Sequence, residues 1–173
     1  CSGCIGHIKK DTLIDWNERK NEFKKIVSDA KKKSTGYDCI VPVSGGKDSW
    51  YQIIVAKELG LKVLAITWKT PARTDIGKRN LKNMLNSLKV DHIDYSFSLE
   101  TEKKFLVAAY EKTGVLGLPM HLGIFSMCTS MAIKLKIPLV IWGENSQLEY
   151  GGTQNEQMAT DLNDDWLSKH GCM

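Results

Sequence analysis

The sequence has 173 residues, of which 25% are charged, and its formal net charge is +4. This length is sufficient for one α/β domain with its own core, and so modest a charge does not indicate nucleic-acid binding. No apolar run approaches the ~20 residues that a membrane span needs, and no signal-peptide pattern is present.

The five cysteines are scattered and odd in number, which is typical of the reducing cytoplasm rather than of a disulfide framework. Cys1 and Cys4 form a C-x-x-C pair, and thiolates at this spacing can share a tetrahedral Zn²⁺ ion. Because no second pair follows, residues 1–15 are either half of a zinc ribbon or a segment with a free or redox pair. Since the sequence begins with Cys rather than Met, we expect a longer native chain.

Helices and strands are predicted to alternate along most of the sequence. A helix over residues 16–33, capped by Asp15 or Asn17, precedes a β-branched strand at residues 38–43. The next predicted elements are a helix ending at residue 60, strands at 62–68, 92–97 and 138–142, and helices at 75–88, 99–113 and 121–136. Ile26, Ile54 and Ile76 are expected on the apolar faces of their helices.

This alternation predicts an α/β fold with a parallel, doubly wound, Rossmann-like sheet and helices on both faces. We expect strand order 3-2-1-4, with a fifth strand beyond the fourth. Such sheets bind ligands where the strand order reverses, beyond the carboxyl ends of the strands. That point would bring residues 44–49, after strand one, next to residues 143–145, after strand four.

Residues 44–49, hereafter the SGGKDS loop, join the first strand to a helix. Two glycines allow a tight turn, and the free N–H groups of a helix start attract an anion. A phosphate chain is the natural ligand of such a turn. The predicted cofactor-binding residues are Ser44, Gly45, Gly46, Lys47, Asp48 and Ser49. The loop differs from the Walker motif, because Asp48 follows Lys47 and Val41 replaces the first glycine.

Two further pairs of residues are candidates for the ligand-binding crevice at the point where the strand order reverses. Asp48 and Glu144 could share a Mg²⁺ ion, the alternatives being that Asp48 caps its helix and that Glu144 is a solvated loop residue. Thr67 and Trp68 end strand two where an adenine or ribose would lie, although core packing explains Trp68 equally well. His92, inside strand three, is expected to be structural.

Four polar residues are candidates for substrate binding: Asn145, Glu149 and Tyr150 after strand four, and His121 near a helix start. A polar helix-start residue is the alternative for His121. Cys128 falls on the apolar face of its helix, so we expect a buried residue rather than a nucleophile.

The SGG-x-DS string resembles the loop of the N-type ATP pyrophosphatases, or PP-loop enzymes, which have a HUP-type sheet. More narrowly, the chain resembles the N-acetyl sugar amidotransferases of surface-polysaccharide biosynthesis, including O-antigen and lipopolysaccharide. The matching stretches, from residue 1 to about residue 152, are CSGC, IDW, YDCIVPVSGGKDS, TW, NL, VDHID, IPLVIWGEN and EYGG. The resemblance makes residues 16–152 the PP-loop domain and residues 153–173 a tail of a longer chain.

The resemblance implies a cytoplasmic enzyme that converts the acetamido group of a nucleotide-activated sugar into an acetamidino group. ATP with Mg²⁺ would activate the amide oxygen, ammonia would displace AMP, and Lys47, Asp48 and Glu144 would be catalytic. Ammonia would come from glutaminase and cyclase-like partner proteins. The alternatives are a tRNA-thiolating PP-loop enzyme and a nucleotide-binding domain without catalysis. Thiolation is the less favoured alternative, because the sequence shows neither paired catalytic cysteines nor an aromatic–basic patch for RNA.

Overall fold

The computed structural model describes residue 12 and residues 14–114 and 118–143. Three strands and five helices are described in these ranges; they alternate up to the helix after the third strand, and a further helix follows. They are α1 (Trp16–Lys33), β1 (Cys39–Pro42), α2 (Lys47–Glu58), β2 (Val63–Trp68), α3 (Asp75–Leu88), β3 (Asp91–Tyr95), α4 (Leu99–Thr113) and α5 (Leu118–Leu135).

The three strands are parallel, with β2 between β1 and β3. On the other side of β1, residues 137–143 form what we call the edge segment, which makes a parallel bridge between Val140 and Ile40. The Ile40 N–H donates to Leu139 O at 2.9 Å, and the Ile141 N–H donates to Ile40 O at 2.9 Å. The predicted order 3-2-1-4 is confirmed. The fourth member is a single bridge rather than the predicted strand at 138–142, and Pro138 at its start has no N–H to donate.

Both faces of the sheet are covered, which confirms the doubly wound α/β arrangement. The side chains of β1 are buried on both sides, as expected for a central parallel strand. On one face, Val41 and Val43 pack with residues of α1, α2 and α3. On the other face, Ile40 and Ile66 pack with residues of α5. The carboxyl ends of the strands therefore open between two helical layers.

The helix boundaries follow from local capping. Asp15 caps α1 by accepting hydrogen bonds from the N–H groups of Asn17 at 2.9 Å and Glu18 at 3.0 Å. Thr74 caps α3 through the Gly77 N–H at 3.1 Å. The predicted bounds of α1, α3 and α4 are confirmed. Helix α5 begins at Leu118, three residues before its predicted start, because proline is tolerated in a first turn.

Three isoleucines predicted to point inward are exposed instead: Ile26 by 49%, Ile54 by 38% and Ile76 by 62%. Each helix buries only a narrow stripe against the sheet. Ile26 and Ile54 directly precede or follow a buried residue, and one position along a helix turns a side chain by about 100°. The predictions for these side chains were wrong because they assumed too wide an apolar face.

In the part of the chain that the structure describes, no helix combines the length and the apolar character needed to cross a bilayer.

Asp38 connects the end of α1 to the start of β2. It is 5% exposed, and its carboxylate accepts hydrogen bonds from the Lys62 N–H at 2.7 Å and from the Ser34 hydroxyl. Its own N–H donates to Lys62 O at 2.8 Å. A buried carboxylate with these partners fixes the entry of β1 into the sheet.

We expect Asp38→Ala to lower the free energy of unfolding by about 2–3 kcal/mol, because it removes a buried acceptor from two partly buried hydrogen bonds. Urea unfolding followed by circular dichroism measures this change. Asp29→Ala is the matched control, since Asp29 is half exposed and lies 3.6 Å from Lys32 on the surface of α1. Its expected effect is below about 0.5 kcal/mol, and equal losses in the two variants would contradict the role of Asp38.

Candidate functional site

The SGGKDS loop lies where β1 ends and α2 begins. The Val43 N–H donates to Ile66 O at 2.8 Å, so strand pairing continues up to the residue before the loop. The N-cap residue of α2 is Gly46, and no side chain caps this helix end. The first-turn amides of α2 are therefore available to an anion, as the sequence predicts. The alternative in which Asp48 caps α2 is wrong.

Hydrogen bonds inside the loop set its shape. The Ser44 N–H donates to Ser49 Oγ at 3.0 Å, and the Gly46 N–H donates to Ser44 Oγ at 3.4 Å. The two serine hydroxyls therefore act first as internal acceptors of the loop. These two hydrogen bonds hold residues 44–49 in a tight turn at the start of α2.

Gly45 is required by its conformation and by its surroundings. Its φ angle is +87°, and a Cβ atom there would lie 2.7 Å from Leu81 N and 2.8 Å from Leu81 Cα. Real Cβ atoms do not approach backbone this closely, and Leu81 of α3 is itself packed in the core. The loop thus rests directly on the backbone of α3.

Two opposite charges stand at the mouth of the loop. Lys47 Nζ lies 2.7 Å from Asp48 Oδ1, and the two side chains are 89% and 73% exposed. An exposed pair of this kind contributes little to stability, so both groups can exchange partners when a charged ligand arrives. The Asp48 carboxylate fits Mg²⁺, because proteins hold this ion with one or two carboxylates together with substrate phosphates.

A cavity of about 500 Å³, hereafter the site cavity, opens beside the loop at the point where the strand order reverses. It brings together the predicted residues Ser44, Gly46, Asp48, Ser49, Thr67, Trp68 and His121. Trp142 and Gly143 of the edge segment close its far side. The structure therefore joins the ends of β1, β2 and the edge segment with the first turn of α5, as strand order 3-2-1-4 requires.

Trp68 belongs to the hydrophobic core and also lines the site cavity. Its side chain is 8% exposed, and a Cβ atom at Gly123 of α5 would lie 2.5 Å from its ring. The Phe97 ring packs against it with centroids 5.1 Å apart. Most of the indole is thus enclosed, and only its remaining surface lines the cavity.

A chain of hydrogen bonds crosses the three strands beneath the loop. Thr67 Oγ1 donates to Val43 O at 2.8 Å and lies 2.8 Å from His92 Nε2. Since a hydroxyl has one proton, His92 Nε2 is the donor in the second bond. The hydroxyl of Thr67 therefore anchors the start of the loop, and His92 has the structural position expected of it.

Burial lowers the pKa of His92, and the positive charge of Arg73 lowers it further, whereas Asp94 opposes the shift. Arg73 and Asp94 themselves form a two-pronged ion pair with N–O distances of 2.9 and 3.1 Å. His92 is therefore neutral at pH 7, with its proton on Nε2.

Neither described cysteine has the properties of a nucleophile. Cys128 and Cys39 are fully buried, and desolvation raises the pKa of each thiol to about 12. Almost no thiolate forms at neutral pH under these conditions. The prediction that Cys128 is a buried apolar residue is confirmed.

Sequence reasoning missed several residues of the site cavity, among them Gln52 and Trp142. Gln52 lies three and four positions after Ser49 and Asp48, so the three side chains share one helical face. This spacing was visible in the sequence once α2 had been placed. The place of Trp142 depends on the neighbour of β1, which only the strand order decides.

Several predicted residues lie outside the described ranges: Glu144, Asn145, Glu149, Tyr150, Cys1 and Cys4. Their roles in Mg²⁺, substrate and Zn²⁺ binding stay predictions. Among residues 12, 14–114 and 118–143, no group of three or more His, Cys, Asp or Glu side chains is arranged to hold a metal.

The fold matches those of solved synthetase structures. No protein-family model matches the chain, and no curated protein matches it significantly in sequence. The NMN synthetase of Francisella tularensis superposes with a TM-score of 0.59 and 17% identity, covering 90% of this chain and 69% of the synthetase. The NH3-dependent NAD synthetase of Campylobacter jejuni subsp. jejuni, solved with a nitrate ion, superposes with a TM-score of 0.56 and 17% identity. The match covers 80% of this chain and 62% of that synthetase. The chain therefore has the α/β fold of these synthetases and spans about two thirds of their length.

Gly45→Ala is expected to destabilise the protein by about 3 kcal/mol, which combines the strain of a positive φ angle with a backbone clash. Gly114→Ala is the matched control, because Gly114 has a φ of +71° and a Cβ atom there would meet nothing within 4 Å. The loss of stability in Gly114→Ala, expected to be about 1 kcal/mol, therefore measures the strain of the positive φ angle alone. Urea unfolding measures the loss in free energy of unfolding for both variants. Equal losses would show that the contact with Leu81 adds no cost to a side chain at residue 45.

The lowered pKa of His92 predicts a pH-dependent stability. Its contribution is complete above pH ~6.5, the ordinary value, and is lost as the pH falls through the lower value of the folded state. His92→Gln keeps an N–H donor toward Thr67 but does not titrate. Between pH 7 and 5, the wild type should therefore lose more unfolding free energy than the variant. Parallel stability curves over this range would show that His92 titrates as in the unfolded chain.

Proposed function

We propose that this protein is an ATP-dependent amidotransferase that adenylates an amide oxygen and then replaces it with ammonia. The observation that carries the proposal is the uncapped first turn of α2 beside the SGGKDS loop, at the edge of the site cavity. Such a turn suits the pyrophosphate of ATP. The likeness to two synthetases, one of them described as NH3-dependent, agrees with ammonia as the nitrogen donor.

The acceptor that we propose is a nucleotide-activated N-acetyl sugar. Its acetamido oxygen attacks the α-phosphorus of ATP, and the bond to the departing pyrophosphate breaks. Ammonia then adds to the activated carbon, and AMP leaves with the former amide oxygen, so that an acetamidino group remains. This choice of acceptor rests on the ordered motifs shared with the N-acetyl sugar amidotransferases.

The residues of the cavity have distinct tasks in this reaction. The loop amides and Lys47 neutralise the charge that develops on the pyrophosphate, and Asp48 is placed to hold Mg²⁺ against the phosphates. Trp68 and Trp142 keep water from the activated intermediate, and His121 contributes a polar wall. Ammonia is supplied by glutaminase and cyclase-like partner proteins, and Cys1 with Cys4 contributes to a Zn²⁺ site.

Lys47→Ala and Asp48→Ala are each expected to slow ATP–pyrophosphate exchange in the presence of acceptor about a hundredfold, because each removes a preorganised charge from the developing transition state. Lys20→Ala is the control, since Lys20 lies on the exposed side of α1. Undiminished exchange in both loop variants, measured in the full-length enzyme, would remove the loop from the mechanism.

The acceptor is tested with full-length enzyme, ATP, Mg²⁺, ammonium and a panel of acetamido nucleotide sugars. The product should be about one mass unit lighter and carry a new positive charge, since an amidinium stays protonated much as a guanidinium does. ATP should yield AMP and pyrophosphate. If no sugar is modified while a tRNA gains sulfur, the protein is a thiolating enzyme, and if ATP binds without turnover it is a nucleotide-binding domain.

A further inference from the structure

The carboxamide of Gln52 is an unusual feature of the site cavity. In the ranges that the structure describes, its Nε2 atom is the one buried side-chain nitrogen or oxygen without a hydrogen-bond partner. Most buried donors in proteins are paired, and an unpaired one calls for an explanation. The side chain also lines the site cavity, so a ligand is an available source of the missing acceptor.

The surroundings of Gln52 hold it in place. A Cβ atom at Gly143 would lie 2.5 Å from Gln52 Nε2 and 2.9 Å from its Oε1, so the amide plane packs flat against the Gly143 backbone. The hydroxyls of Ser44 and Ser49, which line the same cavity, already accept hydrogen bonds inside the loop. The amide is therefore packed against the edge segment in the ligand-free protein.

The position of Gln52 separates it from the phosphate-binding part of the site. It lies four residues after Asp48 in α2, which is about 6 Å along the helix axis. It adjoins Gly143 of the edge segment. The pyrophosphate already has the loop amides and Lys47, whereas a neutral carboxamide suits a neutral oxygen.

The neighbouring wall favours a hydroxyl-rich acceptor. Trp142 lines the same side of the site cavity, and its ring packs on Phe125 with centroids 4.5 Å apart. An indole offers a flat apolar surface to the C–H face of a sugar ring. A carboxamide beside it can donate to a hydroxyl or carbonyl oxygen and accept from a hydroxyl proton.

We propose that Gln52 is a substrate-positioning residue whose Nε2 donates a hydrogen bond to a neutral hydroxyl or carbonyl oxygen of the acceptor. This inference rests on the proposed function and assigns the acceptor to the side of the site cavity formed by Gln52, Trp142 and Gly143. ATP occupies the side formed by the loop. Because Nε2 is already desolvated in the free protein, forming this hydrogen bond does not require Nε2 to give up a bond to water.

The test compares full-length wild-type protein with Gln52→Met, which keeps the side-chain length but cannot donate. Tyr51→Phe is the matched control, since Tyr51 is the adjacent residue of α2 and is 71% exposed. The KM for an acetamido nucleotide sugar that the wild type modifies should rise about tenfold in Gln52→Met, the equivalent of one neutral hydrogen bond. The KM for ATP should change less than twofold, and Tyr51→Phe should change neither.

The unfolding transition of the ligand-free proteins gives a second readout. Gln52→Met should leave the midpoint unchanged or raise it, because an unpaired donor contributes no stabilising bond. A fall of more than about 5 °C would show that Gln52 has a structural partner and would overturn the inference. A KM effect on ATP alone, or none on either substrate, would overturn it as well while leaving the proposed function intact. A wild-type protein that modifies no acetamido sugar overturns both.

Discussion

The close contact between Gly45 and the backbone of Leu81 is the constraint on which the site depends. Because residue 45 has no Cβ, the loop can lie directly on α3. The start of α2 then points its amides past the end of β1 instead of into the helical layer. A side chain at this position would push the SGGKDS loop away from α3 and change the wall that the loop contributes to the site cavity.

The strand ends beneath the loop form a rigid support. Val43, Thr67 and His92 come from three successive parts of the sheet and are joined by two hydrogen bonds of 2.8 Å each. The ion pair of Arg73 with Asp94 continues this connection into the segment after β2. This support agrees with the role that we propose for the loop, because preorganised dipoles need not rearrange during a reaction.

Much of the architecture could be predicted from the sequence because the motifs have positional meaning. The SGGKDS string required a strand before it and a helix after it, and the assumed strand order placed residue 143 beside the loop. Thr67 and Gln52 show where such reasoning stops. The role of a polar side chain depends on a neighbour distant in sequence, here His92 for Thr67 and Gly143 for Gln52, and no local pattern reveals that neighbour. The exposure of Ile76 likewise depends on how narrow a stripe of α3 the sheet covers.

The two sides of the site cavity differ in how firmly they are held. The loop side stands on β1 and β2, which pair along four consecutive positions. The edge segment, within its described residues, is joined to the sheet by one bridge at Ile40. Local opening in proteins begins where backbone bonding is sparsest. The half of the crevice beside the SGGKDS loop is therefore tied to the sheet by more backbone hydrogen bonds than the half beside the edge segment.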